Sequence, residues 1–494
     1  MREPKIALVE LPATEFGKLD GEITRDIFSE MAAPPRAIPL LHGIIRERGY
    51  RDVSTNRIFS SDYLLLSAIT RTIPQTAELA RLYKERNPNG TVIVGGPHVT
   101  FLPEEALEWA DVVVRKEGDF TLPELLERLE REHSPAGVLG VSYKAGSGVV
   151  HEPDRKLLTE EELSRLPLPF YDDEIRKAMR VSAVNTARGC PRNCDFCSVT
   201  KFYGGKYRRR TNESIIRELE VVANDGTPHL FFSADDFAGD SFGKGATKEL
   251  LTYDVMEGIK RKRAGYSAQL NVNSAFVDDP AAADNLVFDD EFLELLRKSG
   301  CFAVYLGIES INDETLKELK KRGSTARKNR EAVKRFRQYG IWVHGMMMVG
   351  ADADTKEGLD ETLEWARANL DSAQFFAPIP LPGTPFTDRM RKQGRILTRD
   401  YSLYDAQHVI IRPKNFTPYE LQMQIFEMNK QFYLPRYTLP SFLRHPVRSV
   451  ADAWHSVKPL HKVVINRIAG RTIDAVIERS PQTQAHLEFL KGVG

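Results

Sequence analysis

Asn185 to Arg210 reads NTARGCPRNCDFCSVTKFYGGKYRRR and holds three of the chain's four cysteines, Cys190, Cys194 and Cys197, spaced Cys-x3-Cys-x2-Cys. Thiolates bind zinc or iron–sulfur clusters, and both commonly take four ligands. This loop supplies three and leaves a place open. The fourth cysteine, Cys301, opens the later apolar run CFAVYLGIES, which puts it at the other end of a strand from any chemistry in the loop. A [4Fe-4S] cluster on three cysteines would leave one iron open, whereas zinc loops favour paired Cys-x2-Cys and a closed shell of four; both readings stand on the loop alone.

The rest of the chain sets the context. A length of 494 residues suggests about three domains. Lys+Arg equals Asp+Glu at 69 each, so no global pull toward nucleic acid or anionic lipid exists. Three cysteines within eight residues do not make a disulfide framework and fit a reducing compartment. The opening MREPKIALVELPATEF has no basic region followed by an apolar core, and no long apolar run follows. The expectation is a cytoplasmic protein, neither secreted nor membrane-spanning.

KIALVEL, DYLLLSAI, TVIVGG and DVVVRKEG read as strands buried on both faces, with amphipathic helical stretches between them. This alternation predicts a doubly wound parallel sheet over residues 1–145, with its ligand site at the carboxyl ends of the strands. The polar stretch 146–175 reads as a hairpin and linker separating two folding units. VSAVNTA, HLFFSADD, AQLNVNSA, FAVYLGIES, IWVHGMMMVG and SAQFFAPIP then alternate with helices over 176–400, as in an open six-stranded parallel barrel. The strand signal fades over 401–494 into a helical region. Within it, Arg436 to Arg471 carries seven Lys/Arg and one acidic residue among Leu439, Phe442, Leu443 and Trp454. That composition suits either a helical lid or peripheral membrane contact.

The cysteine loop, its preceding strand and the barrel that follows resemble the radical S-adenosylmethionine superfamily, whose Cys-x3-Cys-x-aromatic-Cys loop stands here as Cys190, Cys194, Phe196 and Cys197. The resemblance implies a [4Fe-4S] cluster on these cysteines and S-adenosylmethionine on the open iron, reductively cleaved to a 5'-deoxyadenosyl radical that abstracts hydrogen. It implies that Phe196 packs on the adenine edge. The family often holds the methionyl amine with Gly-Gly-Glu at the end of the second strand; here that place reads Ser233-Ala234-Asp235-Asp236, so Asp235 or Asp236 takes the role, unless either serves only as a helix cap. Glu309 and Ser310 match the position that binds ribose or substrate, with helix capping again the competing reading. Gly345 to Gly350 and PLPGTP shape the nucleoside pocket or make plain turns, and His344 reads as a packed histidine. KYRRR meets a carboxylate or phosphate, or solvates a helix entry; no nucleic-acid partner is expected.

The leading domain is similar to the cobalamin-binding domain of B12-dependent radical S-adenosylmethionine enzymes. SAITRT, GGPH and RKEGD stand at successive strand ends, which makes Ser67, Thr70, Gly95, Gly96 and Gly118 the implied cobalamin contacts. The Asp-x-His-x-x-Gly loop of some B12 proteins is absent, and only about eleven residues separate Tyr50 from Asp62, short for a strand and its excursion. No cysteine precedes Cys190, which sets the chain apart from methylthiotransferases with a second cluster. The resemblance implies an enzyme that methylates or rearranges an unactivated carbon of a lipid, isoprenoid or natural product with cobalamin, reduced by a flavodoxin or ferredoxin. The alternatives are a cobalamin-free radical enzyme for oxidation, cyclisation or carbon–carbon coupling, and a non-catalytic iron–sulfur or corrinoid carrier.

Overall fold

The computed structural model describes residues 3–11, 18–19, 22–23, 37–179, 181–227, 229–263, 265–277, 286–433 and 480–493. The basic segment Arg436 to Arg471 lies outside them. Among the described residues, no helix is long and apolar enough to cross a membrane.

The apolar runs at the start of the chain form the strands Ile6–Glu10, Tyr63–Ser67, Thr91–Gly95 and Val112–Val114, whose central residues are buried on both faces. They pair in parallel, and Val53–Ser54 adds at the outer side of Ile6–Glu10. The first strand thus lies between the second and third, so the connections part company between Ile6–Glu10 and Tyr63–Ser67. That is where doubly wound sheets bind ligands. The cramped interval after Tyr50 has room for a strand of only two residues.

The hairpin Val141–Ala145 and Gly148–His151 continues this sheet in antiparallel fashion, so the sheet runs past the expected boundary at 145. Nor does the following segment separate two units. The Leu158 amide donates to Glu117 Oε2 at 2.8 Å in the leading domain. The Arg209 amide donates to Glu160 Oε1 at 2.9 Å, and the Thr211 amide to Ser164 Oγ at 2.9 Å, tying the same segment to the barrel. Buried hydrogen bonds on both sides make it a weld.

Six parallel strands, Val181–Val184, His229–Phe232, Tyr266–Asn271, Cys301–Glu309, Trp342–Met348 and Ser372–Phe376, follow in chain order as an open barrel. Their outward residues, Val304, Leu306, Val343 and Phe375 among them, form the main core with the helices. An open barrel leaves a bare strand edge, which is a liability unless covered. Here the helix Pro418–Tyr433 covers it with side chains that act as backbone. Asn429 accepts from the Phe375 amide at 3.2 Å and donates to its carbonyl at 2.9 Å. The Tyr433 hydroxyl accepts from the Ala373 amide at 3.1 Å and donates to its carbonyl at 2.5 Å. The helix Pro481–Gly492 packs behind it, with His486 on the Val409 carbonyl at 3.0 Å.

Candidate active site

The cysteine loop rises from a short antiparallel stem in which Ala187–Arg188 pairs with Arg208–Arg209. Gly189 turns out of this stem at φ +85°, where a Cβ would stand 2.1 Å from the Lys206 carbonyl oxygen, so only glycine fits. Cys194 is buried, and Cys190 and Cys197 are half-buried. Burial, with the charge of Asp236 added, pushes the Cys190 thiol up to about 12, and burial pushes Cys197 up to about 11. Such thiols stay protonated near neutral pH unless a cation takes the thiolate. Among the described residues, no three His, Cys, Asp or Glu side chains converge on a single point. Cys301 opens its strand at the far end of the barrel, buried in the core with its thiol toward the Ala303 carbonyl at 3.5 Å.

Five contacts pin the loop. The Gly189 amide donates to Asp235 Oδ2 at 2.9 Å. Asp195, between the second and third cysteines, is buried and accepts from Lys320 Nζ at 3.3 Å and from the Arg389 guanidinium. The Phe386 amide donates to the Asp195 carbonyl at 3.2 Å, and Phe196 packs on a small apolar cluster of Phe386, Met390 and Ile411.

The two acids beyond the second strand differ in what they hold. Asp235 spends an oxygen on Gly189. Asp236 is 1% exposed; Asn271 donates to its Oδ2, while Oδ1 has no hydrogen-bond partner. Burial raises both carboxyls above their ordinary range. Farther round the barrel, the strand pairing shifts between Gly307 and Glu309, and Glu309 takes φ +60°. Its Oε1 accepts from Lys321 Nζ at 2.7 Å. Burial alone would lower Lys321, but Glu309 and the sulfurs of Cys194 and Cys197 hold its ammonium above the ordinary value. Ser310 Oγ accepts from the Asn312 amide at 3.0 Å, a local turn contact. Lys321, Asn271 and Asp195 carry no sequence signal of their own; only the fold brings them here.

A cavity of about 420 Å³ opens between the leading sheet and the barrel. Ser67, Gly95, Gly96 and Gly118 line one side, with Leu8 and Leu65 behind them. Arg188, Ser198, Tyr203, Ser233 and Asp235 line the other. Thr70 is buried in the turn Thr70–Thr72 and is not among the lining residues.

Glu117 and Asp119, beside Gly118, meet the stem of the cysteine loop. Arg188 donates to both Asp119 oxygens at 2.7 and 2.8 Å and to Glu117 Oε1 at 2.8 Å. Arg208 donates to Glu117 Oε2 at 2.9 Å and Oε1 at 3.1 Å. Against the cost of burial, Arg188 holds Asp119 below the ordinary carboxylate range. In the KYRRR run, Arg208 and Arg210 thus pair with the protein's own carboxylates, Arg210 with Glu218 at 2.5 Å, whereas Arg209 donates to the Arg210 and Ala246 carbonyls and Lys206 is exposed. The glycines expected to shape a nucleoside pocket also have other work. A Cβ on Gly383 of PLPGTP would strike the Phe101 ring of the leading domain at 2.3 Å, one on Gly345 the Leu370 side chain at 2.4 Å, and one on Gly350 the Leu421 side chain at 2.4 Å.

Comparisons with known proteins agree with this layout. The family model described as Radical SAM superfamily matches residues 184–366, and that described as B12 binding domain matches residues 54–126. An uncharacterized methyltransferase of Pyrococcus horikoshii is 27% identical over 465 residues, covering 90% of this chain and 96% of that protein. Anaerobic magnesium-protoporphyrin IX monomethyl ester cyclase of Cereibacter sphaeroides is 27% identical over 439 residues, covering 82% of this chain and 67% of that protein. Among solved structures, the cobalamin-dependent S-adenosylmethionine radical enzyme OxsB, with aqua-cobalamin and S-adenosylmethionine bound, superposes with a TM-score of 0.66 at 18% identity, covering 99% of this chain and 75% of that one; it shows the shared fold. The chain carries a radical S-adenosylmethionine domain and a cobalamin-binding domain. It is an enzyme, and its cofactors are a [4Fe-4S] cluster, S-adenosylmethionine and cobalamin.

Proposed function

We propose that the enzyme methylates or rearranges an unactivated carbon of a lipid, isoprenoid, tetrapyrrole or other natural product, at a site where the barrel's carboxyl end faces the leading sheet. The observation that carries this reading is the shared cavity, which runs from the glycine-edged strand ends at Gly95, Gly96 and Gly118 to Asp235 and the stem of the cysteine loop. Two chemistries would thereby share one space.

The residues suit the cofactors. Cys190, Cys194 and Cys197 offer soft donors whose raised values fall only when iron takes the thiolate. The open Oδ1 of Asp236 is a buried carboxylate oxygen that an ammonium would satisfy, which favours Asp236 over Asp235 as the acceptor for the methionyl amine. Ser67, Gly95, Gly96 and Gly118, with Thr70 behind them, would hold the corrin, and the apolar walls at Leu8 and Leu65 suit a broad macrocycle. Phe196, Glu309 and Ser310 complete the S-adenosylmethionine side. When bound, the cluster and S-adenosylmethionine supply hydrogen abstraction and the corrin supplies methyl transfer. The chain's part is to orient these groups through the pinned loop and to keep water out. An external one-electron donor of flavodoxin or ferredoxin type serves the cluster.

The test is anaerobic reconstitution followed by addition of reductant and S-adenosylmethionine, with 5'-deoxyadenosine and S-adenosylhomocysteine quantified. Both products in the presence of substrate support radical methylation. An intact cluster that cleaves no S-adenosylmethionine overturns the reading, and corrin absorption in the visible separates it from a cobalamin-free reaction.

A further inference from the structure

Most parallel barrels fill their interior with layers of bulky aliphatic side chains. This one does not. Tyr305, His344 and Ser372 stand in register on three adjacent strands. The Tyr305 ring meets that of Phe231 at 5.7 Å, from a strand two places away, so both rings project into the lumen. Tyr305 and His344 rings lie 5.0 Å apart, and His344 Nδ1 is 2.9 Å from Ser372 Oγ. The other ring nitrogen, Nε2, is buried and has no hydrogen-bond partner.

A buried donor or acceptor left open inside a native protein calls for a partner, whether water or ligand. Burial lowers His344 to about 4, so the ring is neutral at physiological pH and carries one proton. If the Ser372 hydroxyl donates to Nδ1, that proton sits on Nε2 and faces outward as a donor. Its complement is an acceptor. A cation would set donor against donor, and a carboxylate would give up hydration in a lumen whose nearest partner is uncharged, at a desolvation cost no neutral ring offsets. An uncharged carbonyl oxygen meets neither objection.

We propose that the lumen binds the carbonyl group of an otherwise apolar substrate, with His344 Nε2–H as the donor and Ser372 as the residue that holds the tautomer. This rests on the reading of the barrel as the seat of the radical chemistry and adds the substrate's chemical class. It also adds a dimension. Glu309 at the rim lies four residues beyond Tyr305 on the same strand, about 13 Å at the usual strand rise. Met346 and Phe376 belong to the strands that wall the intervening depth. A substrate whose reacting carbon sits at the rim therefore carries its carbonyl on the order of 10 Å away, which explains why that carbon is unactivated.

The probe is 2-decanone, with decylamine as the cationic counterpart, titrated into the reconstituted, oxidised full chain labelled with 15N-histidine. We expect the Nε2–H tautomer for His344, a shift of that resonance on adding the ketone, and ketone binding about fivefold weaker in both His344→Phe and Ser372→Ala, the worth of one neutral hydrogen bond. Decylamine should bind the wild type no better than the variants. Failure of the ketone to bind, equal binding by both variants, or an Nδ1–H tautomer would each overturn the proposal. Should His344→Phe not fold, Ser372→Ala carries the test, since it leaves the ring in place. Substrate-free formation of 5'-deoxyadenosine is followed alongside. Its absence strikes the radical reading, whereas its presence with unaltered ketone binding strikes the lumen site alone.

Discussion

Two groups of buried carboxylates flank the cysteine loop, and they are built on opposite principles. At the domain interface, Glu117 and Asp119 have every oxygen engaged by Arg188, Arg208 or the Leu158 amide. At the end of the second barrel strand, Asp236 keeps Oδ1 unpartnered although it is equally buried. Burying a charge is costly unless it is paired. A saturated cluster is therefore glue, and an unsaturated one keeps an acceptor free, as the proposed amine site requires; the difference lies in the count of lone pairs left over, since the residue types are the same.

The sharpest way to break this comparison starts at the loop itself. Cys194→Ala should abolish cluster assembly, read as loss of bound iron and of the visible charge-transfer band, whereas Cys301→Ala should retain both. If the two behave alike, the three-thiol site is misread. Next, Arg188→Met leaves Asp119 uncompensated and should cost about 3 to 5 kcal/mol in denaturant unfolding. A loss under about 1 kcal/mol would place Arg188 among ordinary surface pairs.

Asp236→Asn should do the reverse of Arg188→Met. S-adenosylmethionine binding falls roughly a hundredfold, about 2.7 kcal/mol, as a charge-assisted contact is lost. The protein without ligand becomes more stable by about 1 kcal/mol, because an open buried charge is gone. The pH dependence follows the same sign. A carboxyl raised in the folded state opposes folding once the pH exceeds the unfolded value near 3.9, so wild-type apoprotein loses stability as pH rises from there toward Asp236's elevated value, and the Asn variant does not. Asp119, held low, acts the other way: its contribution is present above that value and is lost as pH falls through its folded one. Urea titrations across the acid range separate the two. The smallest effect is expected at Asn429→Ala, about 1 to 2 kcal/mol for two hydrogen bonds at the barrel edge.

Much of this was legible in the sequence because its signals are local. The cysteine triplet occupies eight residues, and the strand ends at Gly95, Gly118 and Asp235 follow directly from apolar runs bounded by turn residues. The open Oδ1 could not be read, since it depends on Asn271, 35 positions from Asp236. Asp195 is held by an arginine 194 positions away. The packing partners of KYRRR, PLPGTP and the Gly345–Gly350 strand were equally out of reach. Their compositions suggested ligands, but their partners are Glu117, Phe101, Leu370 and Leu421, which only tertiary packing brings near. The linker's tertiary contacts were hidden for a related reason: polar residues that suggest a tether are also what buried amides need as acceptors.

The edge of the barrel carries a consequence for how such proteins diversify. Asn429 and Tyr433 present to Ser372–Phe376 what a seventh strand would present, so the sheet ends at a seam made by two side chains rather than by a continuous ladder. A seam of that kind is a splice point. The chain beyond it can be exchanged for another of different sequence and length, and the catalytic strands register no change as long as one amide and one phenol arrive in the same places.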